Sequence, residues 1–238
     1  MSTVHLIGGG WDPSASAAVY GPFLEAAGTA PTVATLVLDE GDGNAQFGRW
    51  AEVLRRTAPC EPVPVLVPLG GRLDVAALGD ADALLVCGGL TPAYADALAP
   101  VAGQLRAWLA EGDRPYAGFS AGAAVAAGRA VVGGWRSGGV PVCPEDAAED
   151  LDEVSVVDGL GLLPWTVDVH CAQWGTLPRL LTAVAAGGPG LALDEDTAVH
   201  LDGTGARVAG HGTAWLVDGG GAGTAVTVTA LRVGDRVP

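Results

Sequence analysis

Lysine is absent from this 238-residue chain, whose 12 basic residues are all arginine. That absence excludes lysine Schiff-base chemistry, a pyridoxal-phosphate anchor and a P-loop lysine. Basic charge is scarce altogether: 27 Asp and Glu face those 12 arginines, and a formal net charge of −15 repels a phosphate backbone. No nucleic-acid partner is expected. The four cysteines, Cys60, Cys87, Cys143 and Cys171, contain no C-x-x-C pair. The four histidines, His5, His170, His200 and His211, show no metal-ligand spacing. Reduced thiols, no metal and no other cofactor are the expectation. No apolar run reaches the roughly 18 residues that a membrane span requires. The N-terminus enters directly into Thr3-Val4-His5-Leu6-Ile7, without a basic n-region or an apolar h-region. A cytoplasmic protein with no membrane partner is expected.

What is present suits a folded enzyme. Apolar residues make up 49% of the chain, ample for a core, and 238 residues lie near the upper limit that one core can serve. Residues 1–238 are therefore read as one domain. Val4–Ile7, Val33–Leu38, Val63–Val67 and Ala83–Cys87 read as strands rich in Val and Leu on both faces. Helical patterns lie between them around 14–27, 44–57 and 93–111, the last stopped by Gly112. Such alternation predicts an α/β fold with three layers around a doubly wound, mainly parallel sheet. Segments 196–201, 206–209, 213–217 and 225–231, separated by Gly-rich turns such as Gly219-Gly220-Gly221, read as antiparallel strands extending or flanking that sheet. The acidic stretch from Glu145 to Glu153 reads as a solvated loop, with a lid near the site as the alternative.

The sharpest chemical signal is Gly118-Phe119-Ser120-Ala121-Gly122-Ala123. It follows an extended segment and opens an Ala-rich stretch, which predicts strand, tight turn and helix. Glycines around the turn remove Cβ clashes and let the serine hydroxyl project, while the helix start favours a developing negative charge. The plain alternative is that Ser120 only caps the helix. Sites in open α/β sheets form beyond the carboxyl ends of strands. His170 ends the predicted strand 165–169, Asp194-Glu195-Asp196 follows the strand 190–193, and Gly88-Gly89 ends the strand 83–87. Together these are the parts of a nucleophilic hydrolase. Serine attacks, histidine takes its proton, a carboxylate orients the imidazole, and the Gly89 and Ala121 N–H groups form an oxyanion hole.

These residues carry a resemblance to the S51 peptidase family, which holds dipeptidase E and cyanophycinase on a fold like the class I glutamine amidotransferase domain. Leu6-Ile7-Gly8-Gly9-Gly10 resembles its first strand and glycine turn, Gly88-Gly89 its oxyanion loop, and Gly118 to Ala123 its elbow. Gly159 to Pro164 resembles the approach to the family histidine, Leu193 to Ala198 the segment bearing the acid, and Leu231 to Arg236 the closing segment. The resemblance implies a serine peptidase of small peptides, dipeptides or isopeptides, with Ser120, His170 and Glu195 as triad. It also implies a substrate surface at Leu90, Asp168, Trp174 and Arg179. After the histidine the family typically has several arginines that grip substrate carboxylates. Here only Arg179 keeps such a position, Trp174 and Thr176 stand at the others, and Leu90 stands where Asn or Asp is common. Trp or Thr cannot replace an arginine fork. A Trp-lined pocket for an apolar or aromatic side chain is expected, rather than strict cyanophycin cleavage.

Three rivals stand beside this reading. An α/β-hydrolase esterase would use the order Ser120, Glu195 or Asp194, then His200 or His211. A non-catalytic peptide-binding protein would retain the fold alone. Amidotransferase chemistry would need a thiolate at the elbow, and none of the cysteines stands there. Oligomeric state, a homodimer included, is left open.

Overall fold

The computed structural model describes residues 3–185, 187–219 and 225–238. Strands β1 (Val4–Ile7), β2 (Thr32–Asp39), β3 (Glu61–Pro68), β4 (Ala83–Val86) and β5 (Tyr116–Phe119) pair in parallel in the spatial order β1-β5-β4-β2-β3. Every residue of β1, β4 and β5 is buried, because helices cover both faces of this part of the sheet. Helices α1 (Ser16–Ala27) and α2 (Gly43–Thr57) seal one face through Phe23, Leu24, Trp50 and Leu54. On the other face lie α3 (Thr91–Leu98), α4 (Ala102–Glu111) and α5 (Ala121–Ala126), with Tyr94, Leu98, Leu105 and Val125 in the larger core. The three-layer α/β arrangement expected from the alternation is present. The single helix expected over 93–111 is instead broken at Ala99–Val101 into a 3₁₀ turn. Pro100 has no N–H to donate back to the preceding turn, so the α-helical ladder cannot run through it.

After α5 the chain builds a second sheet. Its strands are β6 (Ala127–Gly133), then, past the small hairpin β7 (Arg136–Ser137) and β8 (Val140–Pro141), β9 (Ser155–Asp158) and β10 (Leu163–Asp168). Two short helices, α6 (Cys171–Trp174) and α7 (Leu177–Ala183), lead to β11 (Gly188–Leu193). Strands β12 (Thr197–Asp202) and β13 (Gly205–Gly210) return to the first sheet, pairing antiparallel beside β1. Then β14 (Ala214–Gly219) and β15 (Thr227–Leu231) add antiparallel to β11, and β16 (Arg236–Val237) closes on β13. The second sheet runs β15-β14-β11-β10-β6-β9. The C-terminal antiparallel strands thus divide between two sheets instead of extending one. Of the Gly-rich turn expected at Gly219–Gly221, residues 220 and 221 lie outside the described residues.

This division places the site. Strands β4 and β5 of the first sheet and β10 and β11 of the second all end in loops that meet across α5, which packs against β5, β6 and β10. The glycine turn after β1 sits between them. The Gly8 carbonyl accepts from His170 N at 3.0 Å, and the Gly9 carbonyl accepts from Asp196 N at 2.7 Å.

Candidate active site

Ser120 occupies the turn between β5 and α5 with φ 52° and ψ −112°, a strained conformation for a residue with a Cβ. Close packing holds it there. A Cβ on Gly122 would overlap the Val86 carbonyl, and one on Gly118 would overlap the Gly122 carbonyl, so only glycine lets α5 approach the strands this closely. Ser120 N donates to the Ile7 carbonyl at 2.8 Å, Gly122 N to Cys87 O at 3.2 Å, and Tyr116 Oη to Gly122 O at 2.7 Å. The Ser120 side chain makes no capping bond to α5. Its Oγ lies 2.7 Å from His170 Nε2, which disposes of the helix-cap alternative.

His170 is buried, at 6% exposure, in a left-handed conformation with φ 54° at the start of α6. Its Nδ1 lies 2.7 Å from Glu195 Oε1. Gly9 backs onto the ring so closely that a Cβ there would overlap the imidazole. Trp174 stacks on the ring with centroids 3.9 Å apart and planes 8° from parallel. Burial lowers the His170 pKa below its ordinary value, and the Glu195 hydrogen bond and charge oppose that fall only in part. The ring is therefore neutral at neutral pH, with Nδ1–H donating to the carboxylate and Nε2 free to accept the serine proton.

The neighbouring acids are otherwise occupied. Asp194 accepts from Ala172 N, Thr213 N and Trp215 Nε1, and Asp196 accepts from Asp12 N. Only Glu195 among the three reaches the imidazole. His200 contacts His5 and the Ala18 carbonyl, and His211 lies 3.5 Å from Asp12. Neither reaches Ser120, so the esterase order has no histidine in place.

A cavity of about 690 Å³ opens at Ser120. Gly89, Leu90 and Trp174 line it, and neither Gly89 N–H nor Ala121 N–H donates to an acceptor among the described residues. One expectation is not met here. Asp168 and Arg179 do not line the cavity; both are buried, at 1% and 3% exposure, and bonded to each other. The Arg179 guanidinium donates twice to Asp168, at 2.7 and 2.8 Å, and once to the Ala147 carbonyl. A fork engaged by its own carboxylate and buried at 3% exposure is not presented to the cavity. Of the two readings of the acidic stretch, the one near the site is favoured: Glu145, Asp146, Glu149, Asp150 and Asp152 line the cavity, together with Glu40 and Trp135. Thr91 N and Oγ1 donate to Glu149, at 3.0 and 3.1 Å, and tie this wall to α3.

Residue patterns had missed Gln173, whose Oε1 accepts from Glu195 N at 2.9 Å, and Trp135. Gln173 sits three residues beyond His170 in the same helical turn, a spacing that is a signal in retrospect. Among the described residues, no group of three or more His, Cys, Asp or Glu is placed to hold a metal ion, and no helix is long and apolar enough to cross a membrane.

No family model matches the chain. Individual relatives do. The chain is 30% identical over 227 residues to a cyanophycinase from Synechococcus elongatus, covering 90% of this chain and 67% of that protein. The same figures hold for a cyanophycinase from Thermosynechococcus vestitus. The chain belongs to the S51 peptidase family. It is a serine peptidase of the S51 type, hence a hydrolase. The fold of this S51 peptidase is similar to the crystal structure of a peptidase from an acI-B1 actinobacterium, with a TM-score of 0.67 at 17% identity, covering 100% of this chain and 96% of that one.

Proposed function

We propose that this S51 peptidase cleaves small peptides through an acyl-enzyme formed on Ser120. The observation that carries the reading is the continuous chain Ser120 Oγ, His170, Glu195, with both links at 2.7 Å. As Oγ attacks the scissile carbonyl, its proton passes to Nε2, and Glu195 stabilises the imidazolium through Nδ1–H. The Gly89 and Ala121 N–H groups receive the charge that develops on the carbonyl oxygen. Collapse of the tetrahedral intermediate hands the Nε2 proton to the leaving amine. Water, deprotonated by the same nitrogen, then releases the acyl group and restores Ser120.

The cavity wall sets the substrate class. Among the described residues, six carboxylates and no arginine line it, with two tryptophans, so it attracts a substrate bearing positive charge, such as a free amino terminus or a basic side chain. The positive charge adds to the apolar or aromatic side chain expected beside Trp174. The relatives' name points to cyanophycin. Trp174 and Thr176 at positions where the family resemblance implies arginine, and the internal pairing of Arg179, favour a specificity other than strict cyanophycin cleavage. Small peptides are the proposed partner.

The test is a fluorophosphonate probe with intact-mass readout, followed by a dipeptide and isopeptide library read by mass spectrometry. One adduct on the wild type, none on Ser120→Ala, and a preference for cationic peptides are expected. Equal labelling of Ser120→Ala would overturn the nucleophile assignment. Binding of a peptide without labelling or cleavage would favour the non-catalytic rival. Cleavage confined to acidic peptides would overturn the pocket argument.

A further inference from the structure

Trp174 does more than wall the cavity. The α6 turn begins at His170, and Trp174 N donates to the His170 carbonyl at 2.7 Å. That single helical turn lays the indole face parallel to the imidazole, at 3.9 Å and 8°. The tryptophan is 36% exposed, so core packing does not explain its place.

We propose that Trp174 is a positioning residue, whose indole face stabilises the His170 imidazolium as the Ser120 proton arrives at Nε2 and keeps the ring from turning away. The inference rests on the acyl-enzyme reading above. An aromatic face is the negative side of its quadrupole, and a cation over it is attracted far more than a neutral ring. The stack is therefore stronger once the imidazole is protonated than before. An interaction that strengthens on the way to the transition state accelerates the chemical step.

The charged groups acting on this imidazole are few. Glu195, from the loop after β11, faces Nδ1 and favours the cation. Asp168 of β10 and Arg179 of α7 exert opposing influences and are paired with each other. Gly9 closes one side of the ring with backbone alone. Trp174 is thus an uncharged source of cation stabilisation, set beside the Glu195 carboxylate that touches the ring.

The experiment follows the His170 imidazole by NMR titration in the wild type, W174L and W174F, with the resonance assigned against His170→Ala. The rate of fluorophosphonate labelling is measured in parallel. Leucine keeps apolar cover over the ring but removes the π face, so the W174L midpoint falls by about 0.4–1.5 pH units. The labelling rate falls roughly two- to thirty-fold in W174L, and W174F recovers part of both effects. A W174L midpoint that stays in place or rises overturns the proposal and leaves Trp174 as a substrate wall. A falling midpoint in a protein that never labels would support the stack while sinking the acyl-enzyme reading, so the two can fail separately.

Discussion

Replacing Glu195 with glutamine removes one negative charge and leaves nearly the same shape at His170. The carboxylate lies 2.7 Å from Nδ1, with its side chain 28% exposed, so solvent screens only part of its field. A hydrogen bond to a charged group contributes about 1.5–3 kcal/mol and one between neutral groups about 0.5–1.5 kcal/mol. The carboxylate already accepts from the neutral ring, and its charge acts more strongly once the imidazolium forms, so up to about 1–2 kcal/mol falls on the transition state. It corresponds to a slowing of roughly 5- to 30-fold. The pH dependence supplies an independent sign. Burial lowers the His170 pKa and Glu195 opposes that fall. Without the carboxylate, burial acts unopposed and the pKa drops further. Reactivity requires the neutral ring, so it is present above the folded-state pKa and lost as pH falls through it. The acidic limb of Glu195→Gln therefore moves to lower pH even though its plateau is lower. The assay is the second-order rate of fluorophosphonate labelling between pH 4 and pH 9. A plateau within twofold of the wild type together with an unmoved limb would refute Glu195 as the orienting acid.

Three further outcomes are expected. Gly9→Ala forces a Cβ into the His170 ring at φ 112°, so labelling collapses and stability falls by about 1–3 kcal/mol, read as a lower midpoint in thermal unfolding. Arg179→Met strands Asp168 without its partner and costs about 3–5 kcal/mol, whereas the double change Arg179→Met with Asp168→Leu restores much of that loss in chemical denaturation. His5 is buried against His200, with Nδ1 atoms 2.8 Å apart, and burial lowers its pKa to about 3. The unfolded chain then binds the extra proton first, so stability is lost as pH falls below the ordinary histidine value of 6.5 toward 3. Calorimetry should show a smaller loss over that window in His5→Gln than in the wild type.

The elbow was legible because its causes are local. Strand, strained serine, helix and the glycines that permit their approach all lie between Tyr116 and Ala126. The same holds for His170 and for the run of acids at 194–196, each set just beyond the end of a strand. Asp168 and Arg179 were misread because their spacing from His170 does not reveal that they face each other across α7 and β10. The acidic stretch stayed open between a solvated loop and a place near the site, because a run of carboxylates looks the same in sequence whether it meets water or a cavity. Its place depends on Thr91, 58 residues away, holding Glu149.

The succession of β and α periodicities, the serine on its turn and the absence of lysine chemistry follow from the residues alone, since each is set by the chain's composition or by neighbours along it. Which sheet a strand joins, which of three adjacent acids meets the imidazole and what charge faces the substrate were decided by tertiary structure. Those outcomes depend on contacts between segments distant in sequence, such as the Gly9 turn against His170, and only the folded chain brings those segments together.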